Sequence, residues 1–69
     1  MIKAGDYVKA GYQGGPMKHS GIVTSLEELT SGHTGPETLV YILSEGTLKL
    51  FCLQEDNIEV IKYEKNTNI

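Results

Sequence analysis

Residues 39–53 read Leu-Val-Tyr-Ile-Leu-Ser-Glu-Gly-Thr-Leu-Lys-Leu-Phe-Cys-Leu, two apolar runs divided by Ser44, Glu45 and Gly46. Strand-forming residues on both sides of a short polar loop with a glycine predict a β-hairpin. With Ser44 to Gly46 as a three-residue loop, Gly46 takes the left-handed position that makes a bulge. Ile42 then pairs with Leu48, Val40 with Leu50 and Thr38 with Cys52. Residues opposite one another share a face, so these six define an interior. The outer face then carries Leu39 with Phe51, Tyr41 with Lys49, and Leu43. A two-residue loop would instead put Lys49 on the same face as Val40 and Phe51, a poorer separation of polar from apolar.

Outward from the hairpin, glycine and proline divide the chain at short intervals, as in an all-β domain. Gly5 precedes a first strand from Tyr7 to Ala10. The stretch from Gly11 to Ser20 is rich in residues that tolerate unusual backbone angles and predicts a long mobile loop. Gly21 opens a second strand that runs to about Leu29, and Thr30 to Pro36 predicts an exposed loop before the third strand, at 39 to 43. The fourth strand runs from Thr47 to about Leu53. Gln54 to Asn57 is too short for a helix and suits a single 3₁₀ turn before a fifth strand, Ile58 to Ile61. Val8, Val23, Ile58 and Val60 complete the expected core. The Asp6 carboxylate is placed to accept backbone amides from a nearby turn, and Asp56 and Asn57 to cap the turn before Ile58. The expected architecture is a small five-stranded barrel over residues 1–62, followed by a polar tail, 63–69.

A chain of 69 residues makes one domain with a thin core, burying only about 60% of its unfolded surface. Net stability at this length is about 3 to 10 kcal/mol. An enclosed substrate cavity is not expected. The formal charge is −3, from six lysines against nine carboxylates, without an arginine. Arginine supplies the rigid fork that grips phosphates and guanine edges, and an acidic chain is repelled by a phosphate backbone. Lys9, Lys18 and Lys49 with Tyr7 and Tyr41 would be the lysines and stacking faces of a nucleic-acid reader, the lesser alternative. Cys52 is the sole cysteine, so no internal disulfide forms. The opening residues lack a secretion signal or membrane span, and a reducing cytosol is the expected compartment.

No catalytic constellation emerges. The run from Gly11 to Ser20 lacks the spacing of a phosphate loop, because Pro16 and Met17 stand between its glycines and Lys18 and a strand follows. His19, His33, Cys52, Glu37 and Asp6 include no closely spaced ligand pair of the kind structural zinc requires. A triad of Ser20, His19 and Asp6 fails because neighbouring strand residues point to opposite faces. The expectation is a protein without enzymatic activity, cofactor or metal.

Three segments carry a family resemblance: Ala-Gly-Asp-Tyr-Val at 4–8, Gly-Ile-Val-Thr-Ser at 21–25 and Glu-Asp-Asn-Ile-Glu-Val-Ile at 55–61. With the order strand, long loop, strand, hairpin, 3₁₀ turn and final strand, they resemble SH3-like barrels. More narrowly, they are similar to the short SH3-like proteins encoded by tailed phages, cyanophages among them. The layout also resembles the small SH3-like subunit of photosystem I, without its basic surface, and the KOW modules of ribosomal and transcription proteins. The resemblance implies an SH3-like fold and, for the phage family, a host or phage protein as partner in the host cytoplasm. A protein-interaction module is therefore expected, through the outer residues Leu39, Tyr41, Leu43 and Phe51 and through Tyr12 in the glycine-rich loop. Self-association is another way to cover that face, and the long loops or the C-terminal tail folding over it is a third.

Overall fold

The computed structural model describes residues 2–30 and 36–61. The segment 63–69, His33 and most of the expected loop from Thr30 to Pro36 lie outside the described residues. Five strands follow in order: β1 (Tyr7–Gly11), β2 (His19–Leu29), β3 (Glu37–Ser44), β4 (Thr47–Cys52) and β5 (Asn57–Val60). They form one antiparallel sheet in the order β4-β3-β2-β1-β5, and no helix occurs among the described residues. The last strand returns to lie beside the first, with Val8 opposite Val60 and Ala10 opposite Ile58. The edge strands are β4 and β5. The loop expected from Gly11 to Ser20 is shorter, because Gly11 belongs to β1 and His19 and Ser20 to β2.

The hairpin register differs from the expected one. Ser44 pairs with Thr47, which leaves a two-residue turn, Glu45-Gly46, and puts Val40 opposite Phe51 and Ile42 opposite Lys49. Both turn residues have positive φ, 54° at Glu45 and 77° at Gly46. A turn left-handed at both positions matches the right-handed twist of the flanking strands, which a three-residue loop would not need. The partition of side chains is what decides. The adopted register buries Phe51 to 1% exposure against Val40 and Ile42, and leaves Leu48 and Leu50 outside. Buried there, Phe51 also stacks on the Tyr12 ring with centroids 4.3 Å apart, a contact that neither leucine could make. Lys49 on the inner face is half-buried, which a lysine tolerates because its methylene stem can cover apolar surface while its ammonium stays wet.

The core is therefore Val8, Ala10, Val23, Val40, Ile42 and Phe51, with Ile2, Leu26, Ile58 and Val60 packed against it. β2 reaches it at two places through a bulge between Val23 and Ser25. The extra residue, Thr24, donates its hydroxyl to the Tyr41 carbonyl at 3.2 Å. Without that insertion Leu26 would alternate away from Val23; with it, Val23 faces Ile42 and Leu26 faces Val40. β2 and β3 also approach closely at Gly21, where a Cβ would collide with the Leu43 carbonyl.

The turn before β5 is not a 3₁₀ helix. The Cys52 carbonyl accepts from Glu55 N–H at 3.1 Å and from Asp56 N–H at 2.8 Å, a mixed turn. Asp56 does more than cap it. Its Oδ2 accepts the Cys52 amide at 2.8 Å, and its Oδ1 accepts the Gln13 amide at 2.9 Å, tying the glycine-rich connection to this turn. Asp6 acts as expected of it, with Oδ2 accepting the Lys3 amide at 3.0 Å.

Candidate binding face

Adoption of the two-residue turn reassigns the outer face. Tyr7, Ile22, Leu43 and Leu48 are mutual partners across β1, β2, β3 and β4, so their side chains line up in one row across four strands. All four are exposed, from 42% at Ile22 to 56% at Leu48. A second row holds Leu50 opposite Tyr41, and a third holds Cys52 opposite Leu39. Leu50 is exposed, and Leu39, Tyr41 and Cys52 are half-buried. Scattered exposed leucines are ordinary, but a continuous apolar row is the kind of patch that marks contact surfaces.

Of the side chains expected on this face, Leu39, Tyr41 and Leu43 are there. Phe51 is not: as β4's partner to Val40 it lies in the core, so it is unavailable to a partner. Its place is taken by Leu48 and Leu50, assigned to the interior from sequence, and by Tyr7 and Ile22 from the neighbouring strands. Tyr12 lies elsewhere. Its ring stacks on Phe51 with centroids 4.3 Å apart and planes 16° from parallel, and His19 meets Tyr12 edge-on at 5.5 Å. Tyr12 thus fastens the glycine-rich connection over one end of the core, leaving its outer side exposed. Lys9, Lys18 and Lys49 are not gathered: Lys9 shares the outer face with Tyr7, Lys49 faces inward opposite Ile42, and Lys18 sits in the connection before β2.

One polar contact lies on this face and another lies in the turn before β1. The Tyr41 hydroxyl donates to Glu27 Oε1 at 3.1 Å. That bond, then desolvation and the carboxylate's charge, raise the Tyr41 phenol above its usual value, because ionisation would forfeit the donor and set a phenolate beside an anion. At the β1 end, Lys3 Nζ donates to Asp6 Oδ1 at 3.0 Å. This bond, followed by the backbone bond from Lys3, holds the Asp6 carboxyl below the ordinary carboxylate value. Next to Asp6 a cleft of about 510 Å³ opens, lined by Gly5, Asp6, Tyr7, Ile22, Val60 and Ile61. Tyr7 and Ile22 belong to both cleft and row, so the two form one continuous surface.

Glu37, Cys52 and Glu55 bring ligand atoms within 4.8 Å of one another. Cys52 also contacts Gln54 Oε1 at 3.7 Å. Such groupings of acidic side chains are common on surfaces without an ion. His19, set against the Tyr12 and Phe51 rings, is not part of it. No described helix is long and apolar enough to cross a membrane. No protein family, curated protein or solved structure matches the chain.

Proposed function

We propose that the chain is an SH3-like barrel acting as a small non-enzymatic protein-interaction module, and that it binds through the outer face of β1 to β4. The observation that carries this reading is the row Tyr7, Ile22, Leu43 and Leu48, aligned by strand register and exposed in every member. Burial of such a row at an interface recovers hydrophobic free energy of about 25 cal/mol per Å². The SH3-like assignment rests on the strand order, with a meander from β1 to β4, a hydrogen-bonded turn and a last strand returning to β1. With the tailed-phage resemblance as its setting, the partner is a host or phage protein in the bacterial cytoplasm. The nucleic-acid alternative loses its footing where its lysines fall on different faces.

The test is capture from the native cell extract with the wild-type chain and a Leu43→Ser/Leu48→Ser variant, whose fold is checked by circular dichroism. Exposed substitutions of this kind change stability by only about 0.5 kcal/mol each. A protein held by the wild type and lost by the variant is the expected result. An identical captured set would sink the proposal. Sedimentation of the purified chain separates a second copy from a different partner.

A further inference from the structure

The free edge of the sheet carries chemistry that the outer face does not. β4 is an edge strand, with β3 on one side only. The Leu53 N–H donates to the Thr38 carbonyl at 2.8 Å. Alternation along the strand therefore turns the peptide groups of Thr47, Lys49 and Phe51 toward β3 and those of Leu48, Leu50 and Cys52 away from it. The Cys52 groups follow this pattern and are already taken: the N–H donates to Asp56 Oδ2 at 2.8 Å, and the carbonyl accepts the Glu55 and Asp56 amides. Leu48 and Leu50 are left with an N–H and a carbonyl each that no described residue pairs, beside side chains 56% and 46% exposed on the outer face. Between them Lys49 points the other way, to the inner face opposite Ile42. It is half-buried and has no carboxylate partner among the described residues. Open ladder groups are a template for another strand, and here a half-buried cation stands between them.

We propose that the β4 edge accepts an extended strand of the partner protein, in which two apolar residues flank an acidic one. The inference rests on the outer face as the binding surface, because Leu48 and Leu50 belong to both. In an antiparallel addition the apolar residues lie opposite Leu48 and Leu50, and each exchanges backbone hydrogen bonds in both directions with the leucine it faces. Opposite residues share a face, so the partner's apolar side chains extend the outer face by one strand. The acidic residue then falls opposite Lys49, on the inner side. Its carboxylate neutralises an ammonium that the added strand would otherwise cover unpaired. That requirement also sets what the edge refuses. A lysine on the inner side of an edge strand deters indiscriminate pairing. A second copy of β4 laid antiparallel, with Leu48 opposite Leu50, puts Lys49 opposite Lys49, like charges facing one another. The turn fastened by Asp56 closes the ladder past Leu50, and the Glu45-Gly46 turn closes it before Thr47, so the recognised segment is short.

The test uses the whole ¹⁵N-labelled chain and the peptide acetyl-Thr-Val-Glu-Val-Thr-amide, with glutamine and lysine counterparts at the glutamate and a form N-methylated at the first valine. Amide exchange is expected to slow at Leu48 and Leu50 in the complex and to stay as it was at Lys49 and Phe51, which β3 already bonds. The glutamate peptide should bind about fivefold more tightly than the glutamine one, the upper range for an opposite-charge cross-strand pair. The N-methylated peptide should not bind. Lys49→Met should erase the preference for glutamate, and Lys49→Glu should transfer it to the lysine peptide, a reversal that damage to the fold does not produce. Alternating protection that survives Leu43→Ser undiminished would support the edge and remove the outer face. Signal shifts across Tyr7, Ile22 and Leu43 without protection at Leu48 and Leu50 would overturn the edge and leave the outer face standing. Binding of no peptide, or equal binding of the glutamate, glutamine and lysine peptides, would overturn the edge as well.

Discussion

Single residues decide more here than their number suggests. Tyr41 illustrates it: its ring belongs to the outer face, but its hydroxyl is committed to Glu27. A phenol whose folded value is raised contributes stability that is fully present below its unfolded value, near 10, and lost as pH rises through the folded value. In an alkaline titration followed by phenolate absorbance, Glu27→Ala is expected to bring the Tyr41 ionisation to lower pH, and an unchanged curve would show that the hydroxyl does not bond Glu27 in solution. Asp6 runs the other way. Its carboxyl is lowered by Lys3, so its contribution is present above the unfolded value and lost as pH falls through the lowered one. The purpose of Asp6 was legible in the sequence, because a short carboxylate after a glycine before a strand commonly accepts turn amides. That Glu45 would adopt positive φ was not legible, since the left-handed region favours glycine and asparagine.

At the scale of elements, strand existence followed from alternation and punctuation, and each observed strand lies within a few residues of the expected one. The hairpin register did not follow, because Ser44, Glu45 and Gly46 fit a three-residue bulged loop as well as a two-residue turn. A shift of one residue reverses every side chain on β4 relative to β3, which exchanged Phe51 with Leu48 and Leu50 between the faces. The contacts that Phe51 makes in the adopted register, with the Tyr12 ring and with a core that includes Val8 and Val23, come from outside the hairpin and are invisible in it alone. The candidate site was legible in Leu39, Tyr41 and Leu43, which keep their face in the observed register. It was not legible in Tyr7 and Ile22, because the register of β1 on β2 cannot be read across a glycine-rich connection. That connection is itself held by one residue of a distant element. Asp56→Ala removes acceptors from both the Gln13 and Cys52 amides and is expected to cost about 1 to 2 kcal/mol. Asp56→Asn keeps one amide acceptor and should cost less. A denaturant midpoint measures both, and a midpoint unmoved by Asp56→Ala would show that the connection is held by Tyr12 alone.

For the molecule as a whole, the balance between core and face is tight. A domain of this length has about 3 to 10 kcal/mol of net stability, and the removal of a buried phenylalanine costs roughly 3 to 5 kcal/mol. Phe51→Ser is therefore expected to abolish or nearly abolish cooperative unfolding, with Tyr12 losing its stacking surface at the same time. Leu48→Ser, at a side chain 56% exposed on the outer face, should leave the thermal transition almost unmoved. Thermal melts of the two variants side by side separate interior from exterior, and similar losses for both would return the hairpin to the three-residue loop.

The pairing of β1 with β5 also bears on how the chain is made. Of the two neighbours of β1, β2 is made directly after it, whereas Asn57–Val60 is made only after β2, β3 and β4. At roughly 5 to 20 residues per second, one flank of β1 waits several seconds for its partner during synthesis. Until then Val8 and Ala10 lack the cover of Val60 and Ile58, and β1 is a bare edge strand of the sheet. A nascent chain of this kind is most exposed to mispairing with its neighbours on a polysome in the interval before β5 is made.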